Sequence, residues 1–435
     1  MDAIQPIPLL ELPQEIVELI IEYVAILKPV AEARTSLQAC SLVSRSFSYW
    51  ARQQLWRIIV FPLHSGTIKA AHVFINKRAN KFIRTLQKIQ DKGFISNIHS
   101  LHLVFEDPPQ TPYTPKILQH RCLNPETSPL QMALLQLLAS ATLRTFTLSN
   151  VTGLSAEIVI AAFFSKNLQE ITIHRSVMRI ERRFGGSPFI PKITGELANL
   201  TRLEITGGYY FEILYMLVKR AEKLRIQPSP LFPNLQTLVL SVPGHEDAMI
   251  MLCENILNFA SNLQSVEFEI HHAYFRGQFV SYDYLESFSH MDSLFTFRLR
   301  TIAPSTVKWV ESSQRALLNF FTVRNLAKYV RTIELHYQFS EWRTHTEGDS
   351  LGTFDQGEYW EAVDRLLTSE VFIHLELVKI SISIRYYPSI HNKTYPIPPE
   401  ELDDFAEFTL PRINKASHIR LELNGEFIFS REQAF

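Results

Sequence analysis

The sequence predicts an α/β protein: a small three-helix unit at its N-terminal end, then a long array of strand–helix units stacked into a curved parallel sheet. Three observations predict it. Residues 12–61 read as three short helices running into a β-branched, aromatic stretch. From residue 98 onward a short apolar phrase recurs, and between its copies lie segments with apolar residues at helical spacing. With 435 residues and 46% hydrophobic content, the chain is long enough to hold such an array and too apolar to remain disordered.

The first helix begins at Pro13, tolerated there because the opening amides of a helix have no internal partner. Ile16, Leu19, Ile20, Tyr23, Val24 and Leu27 follow at the spacing of a buried face, and Val17 and Ile21 fall outside that stripe. Only Gln14, Glu15, Glu18 and Glu22 are polar, which leaves an apolar arc of about 220° where a surface helix needs ~100°. Two apolar surfaces are therefore expected, one for the unit's own fold and one for another polypeptide. Thr35 and Gln38 have capping-box spacing, so a second helix is expected to start there and to carry Leu37, Leu42 and Val43. Ser44 or Ser46 can cap a third, with Phe47, Trp50, Ala51 and Leu55 on one face. Residues 56–61 then turn strand-like, and Pro62 is expected to end the run.

This order of residues, "LPQEI…I…V" followed by "SLVSRSF…A…LWR", resembles the F-box in the form common among fungal F-box proteins. The resemblance covers residues 12–61, and the connection after Val24 is longer than the family's usual spacing. It implies that Leu12, Pro13, Glu15, Ile16, Leu19, Ile20, Val24, Leu42, Val43 and Trp56 dock onto a Skp-type adaptor. That adaptor would be held in turn by the cullin scaffold of a ubiquitin ligase.

Residues 63–95 read as a helical connector, with Lys69, Lys77, Arg78, Lys81, Arg84 and Lys88 on a solvated face. The recurring phrase follows, in the form apolar, two variable positions, apolar, one variable position, apolar. Its copies are Ile98-Leu101-Leu103, Leu143-Phe146-Leu148, Leu168-Ile171-Ile173, Leu200-Leu203-Ile205 and Leu235-Leu238-Leu240. Leu263-Val266-Phe268, Leu294-Phe297-Leu299, Val330-Ile333-Leu335 and Leu375-Val378-Ile380 continue the series, with a degraded copy at Leu421 and Leu423. Successive copies start about 25 to 45 positions apart, the range of a structural repeat. Asn167, Asn199, Asn234 and Asn262 each precede the first leucine of a copy. A repeated strand and helix cannot bury its apolar face alone, so the units must stack. The region resembles the irregular leucine-rich repeats found behind many F-boxes. The organisation expected is therefore an F-box domain at 1–62, a helical linker at 63–95 and a leucine-rich-repeat-like α/β solenoid at 96–435. An ordinary α/β domain is the competing reading.

Because strand side chains alternate, the variable positions of each phrase should share the exposed face of the sheet. Those positions include Thr145, Thr147, Glu170, Thr172, Arg202, Glu204, Thr237, Glu267, Arg298 and Glu334, a mixture suited to a protein or peptide target. Three stretches interrupt the rhythm and should form surface loops: 107–129, 340–358 and the Pro-rich 387–400.

The net charge of −1 gives no electrostatic case for nucleic acid or an anionic membrane as partner. The apolar runs are shorter than a membrane span, and the N-terminal stretch lacks the basic region of a secretory signal, so an intracellular protein, cytoplasmic or nuclear, is expected. Cys40, Cys122 and Cys253 have neither disulfide nor zinc spacing. No nucleotide-binding, nucleophile-elbow or metalloprotease motif occurs, and His271-His272 would point to opposite faces of a strand. No cofactor, metal or catalytic residue is expected. The function the sequence predicts is substrate recognition within a Skp–cullin–F-box ligase. The alternative is a binding scaffold that uses its F-box without cullin-dependent ubiquitination.

Overall fold

The computed structural model describes residues 12–25, 30–64, 81, 83–85, 87–88, 98–106, 129–149, 151–174, 176–179, 199–206, 232–243, 260, 262–271, 293–303, 326–341, 358–386 and 393–429. Three helices open the chain: α1 (Gln14–Ala25), α2 (Val30–Cys40) and α3 (Arg45–Arg57). The carbonyl of Pro13 accepts the first bonds of α1, from the amides of Ile16 and Val17 at 3.0 and 3.2 Å. Ser44 caps α3 by accepting the Phe47 amide on its Oγ at 3.3 Å.

Two expectations for this region are corrected. The second helix starts at Val30 rather than Thr35, since Ala, Glu and Arg upstream of Thr35 are good helix formers and carry the helix back to the position after Pro29. Leu42 and Val43 then fall in the turn beyond it. The buried stripe of α1 is also the other one. Val17 and Ile21, only 2% and 1% exposed, form the small core with Leu37 and Ala51, while Ile16, Leu19, Ile20 and Tyr23 face outward. Both arcs of α1 are apolar, so periodicity alone could not choose between them. Phe47, Trp50 and Leu55 pack against this core as the spacing of α3 predicts.

From Arg57 the chain passes directly into β1 (Ile58–His64), the first strand of a twelve-stranded sheet. The remaining strands of that sheet are β2 (Ser100–Glu106), β3 (Thr145–Ser149), β5 (Glu170–His174), β7 (Arg202–Thr206), β8 (Thr237–Pro243), β9 (Ser265–His271), β10 (Thr296–Ala303), β11 (Thr332–Glu341), β12 (Leu377–Tyr386), β13 (Lys393–Pro396) and β14 (Arg420–Phe429). All neighbours pair parallel except β13, which lies antiparallel on β14. Pro62 does not end β1, because β1 is an edge strand and the missing amide costs nothing on an open edge. β1 thus straddles the boundary expected at residue 62. Two short strands, β4 (Thr152–Ser155) and β6 (Val177–Arg179), form a separate parallel pair.

Each copy of the apolar phrase lands on a strand, and the copies are in register. Leu101, Phe146, Ile171, Leu203, Leu238, Val266, Phe297, Ile333 and Val378 form one continuous row across the sheet. A second row runs from Leu103 through Leu148, Ile173, Ile205, Leu240, Phe268, Leu299 and Leu335 to Ile380. Both rows are buried, and they share their core with α4 (Pro129–Leu138) and α5 (Ala156–Phe163) through Leu134, Leu137, Leu138, Ile158, Val159, Ala162 and Phe163. Each such side chain contributes on the order of 1.5–3 kcal/mol relative to exposure.

The backbone repeats as well. The two amides that open a strand both point at one carbonyl of the preceding copy: Arg144 and Thr145 at His99, Gln169 and Glu170 at Arg144, Thr201 and Arg202 at Gln169. The pattern continues to Glu376 and Leu377 at Arg331. Side chains join the copies too, since Asn234 donates to Asn199 and Asn262 Nδ2 donates to the Pro233 carbonyl at 2.6 Å.

At the far end α6 (Glu358–Leu367), α7 (Pro399–Thr409) and α8 (Pro411–Lys415) close the core. Trp360 meets Tyr337 and Phe405 edge-on at 5.8 and 5.3 Å between ring centroids. Asp364, buried on α6, accepts the Arg412 and Ile413 amides at 3.0 and 2.9 Å and so caps α8. The stretch 387–400 is not simply a loop, because residues 393–396 pair as β13 and Pro399 starts α7. The segments 107–128 and 342–357 lie outside the described residues. Of the helix-like segments between the copies, 211–224, all but the last residue of 246–260 and most of 306–330 also lie outside them; of the connector, residues 81, 83–85, 87 and 88 are described and helical.

Candidate functional site

Two surfaces gather the residues singled out in the sequence. The first is on the helical unit. Leu12, Ile16, Leu19, Ile20, Leu42 and Val43 are all exposed, Leu19 by 66% and Leu42 by 87%, and Tyr23 joins them. Pro13 and Glu15 are exposed beside them. Large aliphatic side chains at such exposures stand out on so small a helical unit. Val24 departs from the set: it leans against the unit's own core. Trp56 belongs to α3, and its side chain lies outside the described residues.

The second surface is the face of the sheet turned away from α4 and α5. Strand pairing places Thr145, Glu170, Arg202 and Thr237 in one row, continued by Ser265, Thr296 and Thr332. The next level along the strands carries His102, Thr147, Thr172, Glu204, Val239, Glu267, Arg298, Glu334 and Lys379. Every target-face residue named from the sequence is therefore on one face, in two adjacent rows. Burial alternates along the strands, as in β3, β5 and β12, where the inward positions are sealed and the outward ones partly open.

The charges on this face are organised across strands. Arg298 donates from Nε and Nη2 to the two carboxylate oxygens of Glu334 at 2.8 and 3.1 Å, a forked pair. His336 Nε2 lies 3.4 Å from the same carboxylate. Burial alone would push Glu334 upward, but the hydrogen bonds and charges of Arg298 and His336 outweigh it and hold the carboxyl below its ordinary value. The same pairing raises Arg298 further. Arg300 reaches Glu269 at 3.3 Å, and Ser241 Oγ donates to that carboxylate at the same distance. Arg202 pairs with Glu204 at 2.8 Å. Glu267 behaves differently: burial pushes it upward, Arg298, His336 and Arg300 offset that only in part, and Glu269 adds to it. At the β2 end, burial lowers His102 and favours its neutral form.

Sequence reasoning found the outward positions of the phrases but missed the third level along the strands, Glu269, Arg300 and His336. These lie beyond the last apolar residue of the phrase, where strands β9 to β11 run longer than the phrase does. The signal available was continued alternation past the phrase. Chemically, the face can form ion pairs and hydrogen bonds with another chain. Among the described residues there is no group of three or more His, Cys, Asp or Glu able to hold a metal, and no helix long and apolar enough to cross a membrane. No family model matches the chain, and no curated protein matches it.

Proposed function

We propose that this protein is a substrate-recognition subunit of a Skp–cullin–F-box ubiquitin ligase. Its helical unit acts as an F-box that binds a Skp-type adaptor, and its strand–helix array acts as a leucine-rich-repeat-like solenoid that holds a target protein. One observation carries the reading: α1 has two apolar arcs, and among the described residues only one of them is covered. Val17 and Ile21 complete the small core, while Leu12, Ile16, Leu19 and Ile20, and Leu42 and Val43 in the turn after α2, are left exposed. Burying such a set against a partner removes several large aliphatic groups from water, each worth on the order of 1.5–3 kcal/mol. The solenoid half is supported by strand order. Each new parallel strand adds on the same side of the last, from β1 through β12 to β14, with no reversal of direction. A doubly wound sheet places its ligand where that direction reverses. In this reading the chain contributes proximity and orientation to ubiquitin transfer, while the chemistry stays with its partners.

The test is the double variant Leu12→Ala with Pro13→Ala. It should abolish capture of a purified Skp-type adaptor while the circular dichroism and thermal unfolding of the array stay unchanged. Undiminished capture refutes the docking assignment. Cullin in the wild-type complex, with target levels that rise on deletion, separates a ligase subunit from a scaffold.

A further inference from the structure

We infer that the polar face of the sheet receives a basic side chain, a lysine or arginine of an unmodified target segment, at Glu267, and does not read a phosphate. This rests on the reading above that the face holds a target.

The argument is one of charge complementarity across neighbouring strands. Arg202 is bound to Glu204, Arg298 to Glu334, Arg300 to Glu269, and Lys379 and Arg420 both to Glu422. An incoming phosphate would have to pull one of these cations from its carboxylate and then lie beside that displaced negative charge. Glu267 is the opposite case. Its neighbour on β8 at the same level is Val239, which has no polar group to offer. Its neighbour on β10 is Arg298, whose Nε and Nη2 are both turned to Glu334 on the far side. Among the described residues Glu267 thus has no hydrogen-bond donor or ion-pair partner, although it stands within a band of matched pairs. A lysine or arginine from outside would supply the missing donor without breaking any existing pair, and the carboxylates of Glu267, Glu269 and Glu334 outnumber the guanidinium groups of Arg298 and Arg300 that stand among them. Burial already disfavours the charged form of Glu267, so an arriving cation also relieves a cost the folded chain carries.

The probe is a set of synthetic degenerate peptide pools with one position fixed in turn as Lys, Arg, Glu or phosphoserine, passed over the immobilised full-length chain. The Lys and Arg pools should be retained about tenfold over the Glu and phosphoserine pools, and Glu267→Gln should remove the difference while thermal unfolding is kept. Glu407→Gln, exposed on α7 and not among the residues of this face, should leave the preference intact. Selection of the phosphoserine or Glu pool, equal retention or loss of all pools, or a basic preference that survives Glu267→Gln overturns the inference. The comparison on the unaltered chain decides even if a variant misfolds. Adaptor capture with the same preparation separates the two failures. A chain that binds adaptor without a basic preference sinks only the Glu267 assignment, and one that binds no adaptor sinks the ligase reading whichever pool is retained.

Discussion

Glu267 and Glu334 sit on the same face, two strands apart at one level, yet their carboxyl groups are shifted in opposite directions. The difference comes from donor geometry. Arg298 stands between them and commits its fork to Glu334, so one carboxylate gains hydrogen bonds to its charged form and the other is left with burial. The signs give opposite pH dependences. For Glu334, with its folded value below the ordinary one, the contribution to stability is complete above the ordinary value and is lost as pH falls toward the folded value. For Glu267, with its folded value above the ordinary one, the native state holds the proton longer than the unfolded chain, so stability is lost as pH rises between the two values. Urea unfolding across this range should therefore show wild type losing ground to Glu267→Gln as pH rises above the ordinary glutamate value. Wild type should lose its advantage over Glu334→Gln as pH falls below that value. A pH-independent offset for either variant would mean that the residue's surroundings are not those described.

At the scale of the element, β14 shows how a single position can fix a close approach. A methyl group placed on Gly425 would run into Ile397, with Cγ1 at 2.9 Å and the Cδ1 methyl closer still. Ile397 is buried, and its amide donates to the Gly425 carbonyl at 2.9 Å, so the backbone that follows β13 is held against β14 at this point. Gly425→Ala should destabilise the chain by about 1–3 kcal/mol through overpacking. Ile397→Ala should cost on its own, and the double variant should cost less than the sum, because the new methyl fills part of the space vacated. Additive losses in thermal unfolding would show that the two positions do not meet. Element identity was largely legible: the apolar phrases mark the parallel strands, and Ser44 marks the start of α3. The antiparallel β13 was not legible, because a Pro- and Tyr-rich stretch reads as loop until a neighbouring edge supplies hydrogen bonds. The inner stripe of α1 was not legible either, since Val17 and Ile16 are equally apolar and only Leu37 and Ala51 decide between them.

Across the whole molecule the consequence of strand order is that, among the described residues, each copy of the phrase pairs only with its neighbours in the sheet. Val378 on β12 pairs with Ile333 and Leu421 and has no register partner near β3. Hydrogen exchange of the Val378→Ala variant should accelerate across β11, β12 and β14 and leave the amides of β3 and β5 at wild-type protection. Uniform acceleration throughout the sheet would indicate one cooperative unit instead of a chain of coupled ones.

The sequence by itself determined the α/β class, the position and inward residues of the repeated strands, the three opening helices and the first two rows of residues on the polar face. These follow from period and spacing, which are local properties. Tertiary structure alone decided which arc of α1 is sealed and which carboxylate receives the fork of Arg298, and it alone joined β1 to the sheet and covered β14 with β13. Each of those depends on what another part of the chain brings within a few ångströms, and periodicity carries no information about that partner.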